Sequence, residues 1–383
     1  VNPKLKNLIK IIIILFILIL IGKGFHYINN KNYIKFREIK YNKVNHPENL
    51  PTSEFAKATA FGFENVKSDI YWLETIQYIG GNAASSAYKK YLYKIINLIT
   101  DLNPYFVHSY NIGMLLLPDY NHRYENLEKE EQLEYINQGV KLGLKGIKNF
   151  CNEDKIELIK KEDNLQNIWT LDKYKNPCKS YEIPYYLAFI YYFYLHDNIK
   201  ASNYYKIASA NTDSLEGAKI LSAIMKGKGG DREKAFLMFL NIGKNLDTSE
   251  NLVCSKFTDI LQNKIGFNIF QKNNLDYKLI QYASDLREKV FPKSDGKDEN
   301  LKSNPECSKY VNKAIRELNL YYIEEANKIY KKNTGKNAKN AKVLFEGKYI
   351  DYLPVDFQQY EDYGIIYEYN SDTGFFDYTM GNY

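Results

Sequence analysis

Residues 183–213, IPYYLAFIYYFYLHDNIKASNYYKIASANTD, decide the fold. Leu187, Ala188 and Tyr191 fall on one face of a first helix, His196, Asp197 and Asn198 make a polar turn, and Ala201, Tyr205 and Ala208 line a second helix. Small residues at 188, 201 and 208 allow two helices to approach closely while the tyrosines fill the space between pairs. The pattern recurs with Ala223, the turn Gly229-Gly230-Asp231, then Ala235, Phe239 and Ile242. Working outward, Tyr88 to Asn103 places Tyr91 or Leu92, Ile95 or Ile96, and Ile99 on one face and stops before Pro104. Leu133, Ile136, Val140, Leu144 and Ile147 form another such stripe. No block before about residue 340 alternates with a period of two, which argues against a sheet-based enzyme fold there.

These paired helices resemble the tetratricopeptide repeat. One extra residue sits in the turn of the 183–213 unit, and Lys226 stands where the second unit would carry an aromatic. Leu92, Ile96, Ile99 and Pro104 are similar to the end of such a repeat, and Tyr110, Ile112 and Gly113 to the start of the next. The segment from Asp69 to Gly81 resembles the first helix of membrane-anchored proteins with degenerate repeats of this kind. The resemblance implies a mainly α architecture, a TPR-like α-solenoid over 53–335 whose concave groove holds a protein or peptide partner without catalysis or cofactor. Tyr110, Asn111, Asn203 and Lys206 are the inner-helix positions expected to be exposed for that partner.

Ahead of the helices, Ile11 to Ile21 is wholly apolar, and Lys10 alone interrupts Leu8 to Gly22. About 20 apolar residues cross a hydrocarbon core, and Phe25, Tyr27 and Ile28 extend the run. Residues 1–28 therefore read as a single-pass anchor and 29–52 as a polar linker. A cleaved export signal ending at Gly22-Lys23-Gly24, or a buried soluble helix, are the competing readings. Charge counting around the segment favours a cytoplasmic body, whereas the short basic head looks more like a signal-anchor that exports it. Four cysteines without C-x-x-C spacing suit disulfides, and the local pairing is Cys151 with Cys178 and Cys254 with Cys307, although four buried thiols fit the sequence equally well.

The chain of 383 residues has a formal charge of +6, but residues 1–50 carry nine basic and two acidic groups, leaving 43 basic against 44 acidic. A phosphate-binding surface needs cations clustered on the folded body, so a neutral body argues against nucleic acid as a partner. Aromatic residues make up 15% of the chain, and their helical spacing assigns most of them to packing.

Toward the carboxyl end the period changes. Ile365–Tyr369 and Phe375–Thr379 read as strands joined by Asn370-Ser371-Asp372-Thr373-Gly374, following a helix from Ala314 to Tyr330 and a polar stretch from Lys331 to Ala341. With Gly335, Leu344, Gly347, Ile350, Leu353-Pro354 and Asp356, this end resembles the tail of type II secretion major pseudopilins. The resemblance implies that residues 336–383 form a small α+β capping or contact module, and it raises calcium binding by Asp356, Asp362 and Asp372 as an expectation weaker than solvated loop charge. A subunit of a secretion or pilus assembly is a further reading resting on that tail alone.

Catalytic patterns are sparse. No Gly-Lys-Ser or Gly-Lys-Thr phosphate loop, His-Glu-x-x-His pair or Gly-x-Ser-x-Gly elbow occurs, and Gly227-Lys228-Gly229-Gly230 fits a turn between helices. Asp295, Asp298 and Glu299 lack loop-ligand spacing. The enzymatic rival is an all-helical glycan-processing protein using Asp69 and Glu74 beside Trp72, although five residues apart on a helix these carboxylates point to different faces.

Overall fold

The computed structural model describes residues 3–38, 50–83, 87–120, 125, 127–162, 164–244, 251–264, 277–290, 305–354 and 365–383. It is mainly helical, with an amino-terminal apolar helix and a carboxyl-terminal antiparallel hairpin. Helix α1 (Pro3–Glu38) contains Ile12–Lys31, 20 residues of mean hydropathy 2.0 with none buried in the protein, long and apolar enough to cross a membrane. It runs past the expected end at residue 28 because neither Gly nor Pro interrupts the chain between Gly24 and Pro47.

Most helices pack on a neighbour in sequence, but α7 and α8 pack on later helices. Thr52 Oγ1 caps α2 (Ser53–Ala58) by accepting from the Phe55 amide at 3.3 Å. Helices α3 (Glu64–Asn82), α4 (Lys89–Leu102), α5 (Val107–Leu116) and α6 (Lys129–Phe150) follow, each touching the next. After α7 (Glu153–Lys161) and α8 (Leu165–Thr170), α9 (Glu182–Phe193) returns against α5 and α6. From there α9 packs on α10 (Asn198–Ser209), α10 on α11 (Glu216–Lys228), and α11 on α12 (Arg232–Lys244). Helices α13 (Asn251–Lys264) and α14 (Tyr277–Val290) flank α15 (Pro305–Thr334), which makes the most extensive helix contact of all with α12.

Gly227-Lys228-Gly229-Gly230 ends α11 and turns into α12, as its spacing predicts. Helix α15 begins nine residues before the expected Ala314 and continues to Thr334. Gly335, at φ +78°, stops it, donating its amide to the Lys331 carbonyl at 2.8 Å. A short α16 (Ala341–Glu346) leads to the hairpin.

The stripe expected on α6 is rotated. Leu133 is 49% exposed and Leu144 is 43% exposed, whereas Ile136, Gly139, Gly143, Gly146 and Phe150 are buried. Glycine carries no apolar weight in a periodicity count, yet here it allows α6 to lie directly against α9. A Cβ at Gly143 would sit 2.8 Å from Leu187 Cδ1, and one at Gly146 would sit 2.8 Å from Ile183 Cγ2. Gly143→Leu is therefore expected to destabilise the protein by about 1–3 kcal/mol through overpacking. Thermal melting followed by circular dichroism checks this, and an unchanged midpoint would show that the α6–α9 contact is loose.

The sulfurs of Cys151 and Cys178 are bonded, tying the end of α6 to the segment entering α9. Backbone bonds surround the link, from Lys179 N to Phe150 O at 2.9 Å and from Asn152 N to Pro177 O at 2.8 Å. The side chains of Cys254 and Cys307 lie outside the described residues.

Strands β1 (Ile365–Asn370) and β2 (Phe375–Met380) pair antiparallel with Ile365 opposite Met380 and Asn370 opposite Phe375. Asn370 Oδ1 accepts from the amides of Asp372 and Thr373 at 2.9 and 3.2 Å, and Gly374 takes φ +76°, which is the turn chemistry the sequence carries. The hairpin is seated on helices. Gly230, at φ +86°, faces Phe375 so closely that a Cβ would meet its ring at 2.4 Å. Lys228 pairs with Asp377 at 2.9 Å, and the Arg316 guanidinium lies 4.1 Å from the centre of the Tyr378 ring. At the centre, buried Arg232 donates to Glu317 at 3.0 Å, to Glu324 at 3.1 Å and to the Phe376 carbonyl.

Candidate functional site

An open cleft of about 460 Å³ lies between the α7–α8 corner and the α12–α13 pair. Local capping builds its first wall. Asn152 accepts from the Lys155 amide at 2.9 Å to start α7, and Asn164 accepts from the Gln166 amide at 3.0 Å to start α8. Between those caps Glu162 is held by three donors: the Asn164 amide at 2.9 Å, the Tyr174 hydroxyl at 2.8 Å and the Asn167 side-chain amide at 3.1 Å. Partial burial pushes its carboxyl up, but these hydrogen bonds and the nearby Lys173 outweigh it and hold the group below the usual carboxylate range. It therefore stays ionised at neutral pH.

The opposite wall carries Leu237, Asn241 and Lys244 from α12 and Gln262 from α13. Lys244 pairs with Asp259 at 2.7 Å, and Gln262 donates to Asn241 Oδ1 at 3.4 Å. With Asn164 and Gln166 facing them, the cleft offers amide donors and acceptors, one fixed carboxylate and one ammonium around an apolar floor. That set can hydrogen-bond an extended peptide or its polar side chains. Its described lining holds no Ser, Cys or His nucleophile. Among the described residues no three His, Cys, Asp or Glu side chains gather where they could hold a metal ion.

Of the four positions expected to be exposed, three are buried. Tyr110 is 0% exposed, donating to the Pro104 carbonyl at 3.3 Å and accepting from Asn149 at 2.9 Å. Asn111 is buried and donates to Glu182 at 2.8 Å. Lys206, also buried, reaches the carbonyls of Lys160 at 3.1 Å and Glu162 at 2.7 Å, so it braces the corner behind the cleft wall. Asn203 on α10 is partly exposed. In each corrected case a polar side chain inside the packed body satisfies a backbone or carboxylate group of a turn or of another helix, a demand that single-helix periodicity does not reveal.

Asp69 is exposed on α3, and Trp72 packs edge-on against Phe106 with centroids 5.4 Å apart, which is a packing arrangement. The tyrosine-rich helix behaves likewise: Tyr185 meets Tyr205 at 5.3 Å, and Tyr191 stacks on Tyr204 at 5.6 Å. Asp372 lies exposed in the hairpin turn. Asp356, Asp362, Asp295, Asp298 and Glu299 lie outside the described residues.

Sequence reasoning missed the cleft because its walls come from residues about 80 positions apart. The available signal was the two Asn caps bracketing Glu162, which mark a sharp corner with unspent polar groups. No family model matches the chain, and comparisons with curated proteins and with solved structures find no match.

Proposed function

We propose that the protein is a single-pass, membrane-tethered scaffold or assembly factor that binds a segment of another protein in a helical groove and performs no catalysis. The open cleft beside Glu162 and Gln262 carries this reading. Its size falls within the range of built ligand sites, and its amide-rich walls suit polypeptide backbone. The contacts between successive helices from α3 to α6 and from α9 to α12, joined where α9 lies on α5 and α6, support a TPR-like α-solenoid, in which function comes from the shape of the stack. Helix α1 serves as the anchor, and the Cys151–Cys178 bond favours a body on the oxidising, exocytoplasmic side. The hairpin caps the far end of the stack against α15 and the α11–α12 turn.

Photo-crosslinking tests the reading. A benzophenone amino acid at Gln166 or Gln262 in the full chain is expected to yield a discrete protein adduct in cells, while the same probe at exposed Asn137 on α6 yields none. Absence of a protein adduct at both cleft positions would overturn the scaffold.

A further inference from the structure

One face of helix α3 is packed against the body, and a second, apolar face is left exposed. Ser68, Thr75 and Tyr78 are buried, with the Ser68 hydroxyl donating to the Ile99 carbonyl of α4 at 3.2 Å. On the other side Val66, Ile70 and Leu73, spaced four and three residues apart, are 54%, 52% and 60% exposed. The turn before the helix adds Phe61 and Phe63, 85% and 68% exposed.

That turn is built to hold them out. Phe61 stands at φ +52° and Gly62 at φ +86°, a left-handed conformation that is an outlier for an aromatic residue. It is fastened by the Phe63 amide to the Ala60 carbonyl at 2.9 Å and by the Lys67 ammonium to the Ala56 carbonyl at 2.9 Å. Strain retained to project an apolar ring into water points to a surface that receives it.

We propose that this face, comprising Phe61, Phe63, Val66, Ile70 and Leu73, inserts into the lipid interface beside α1. The inference rests on the anchor reading, and chain length argues for lipid as the occupant. Only 14 residues separate Glu38 from Ser53, so α2 lies within about 50 Å of the end of α1 even if they are fully extended. Tethering keeps the face at high effective concentration against the bilayer. Glu54, Glu64, Asp69 and Glu74 outnumber Lys57 and Lys67 around it, so attraction comes from apolar insertion and not from anionic headgroups.

The test uses the full chain in phosphatidylcholine vesicles, with a protease site inserted between residues 39 and 49. Before cleavage, resistance to carbonate extraction reports on α1 alone; loss there would overturn the anchor and leave the face to be judged separately. After cleavage, the body is expected to stay with the vesicles at low and high salt. Phe61→Ser/Phe63→Ser/Leu73→Ser is expected to raise the released fraction roughly tenfold, the scale of losing a few partly inserted apolar side chains. Phe61→Asn, which suits the left-handed backbone, is expected to melt no lower than the native chain yet release more body. Release of the native body as freely as the triple variant, retention that vanishes in high salt, or release as a dimer would each overturn the proposal.

Discussion

Arg232→Met is expected to destabilise the protein by about 3–5 kcal/mol, the penalty for leaving buried charge without its partner. Arg232 is 2% exposed, and its guanidinium serves Glu317, Glu324 and the Phe376 carbonyl together. Methionine fills most of the volume but answers none of those acceptors. The effect also has a pH signature. Burial pushes Glu317 up and Glu324 up to about 7, outweighing the Arg232 charge, with Asp377 adding to the first shift and Glu317 to the second. The folded state thus holds more protons than the unfolded chain between the ordinary carboxylate pKa and about 7, and this cluster's contribution to stability falls as pH rises through that window. Removing Arg232 raises both carboxyls further, so the loss is expected to be larger at pH 8 than at pH 5. Thermal melting of the full chain in detergent at both pH values checks this. Equal losses would mean that the carboxylates are solvated, and no loss would mean that the cluster does not hold the hairpin.

The same cluster explains why Gly227 precedes the turn. A Cβ there would meet the Glu317 carboxylate at 2.4 Å, so the glycine clears space for the charge network as well as for the turn. Helix pairs and hairpin are thereby fastened at one place, where α11 ends, α12 begins, α15 passes and β2 lies across them.

Much of this was legible locally. Pro104 and Asn103 end α4 as their chemistry demands, Gly229-Gly230 turns α11 into α12, and the aromatic strands flanking Asn370-Ser371-Asp372-Thr373-Gly374 pair as that turn chemistry predicts. What escaped depends on contacts between elements. The glycine stripe of α6 is silent in a hydrophobic count but faces Leu187 and Ile183. Tyr110, Asn111 and Lys206 looked like surface polar groups and turned out to satisfy turn carbonyls and a carboxylate inside the packed body. Arg232 gave no sign of its role, because its partners lie 85 and 92 residues away along the chain. Helical existence follows from spacing within a segment; the identity of the buried face, and of any cleft, follows from which segments meet.

Opening the Cys151–Cys178 bond is expected to cost about 3.5 kcal/mol, the chain-entropy value for a loop of this length. The cysteines are 27 positions apart, and the loop they close contains α7, α8 and the Glu162 corner. In the oxidised protein the unfolded chain is already tethered across this loop, so folding has less freedom to remove. Cys151→Ser/Cys178→Ser restores that freedom while keeping the flanking backbone bonds possible, including those that Asn211 makes to the Cys178 amide and carbonyl at 3.3 and 2.9 Å. The variant is therefore expected to fold with a lower melting temperature and to show faster amide exchange across 150–180 than in α15 or the hairpin. Reductant should reproduce the faster exchange across 150–180 in the native chain and leave exchange across that segment unchanged in the variant. Because a thiol pair in a reducing compartment would forgo this stabilisation, the size of the shift also bears on the side of the membrane the body occupies. A native protein whose melting and exchange are indifferent to reductant would remove the support for an exported body and return the topology to the charge balance around α1.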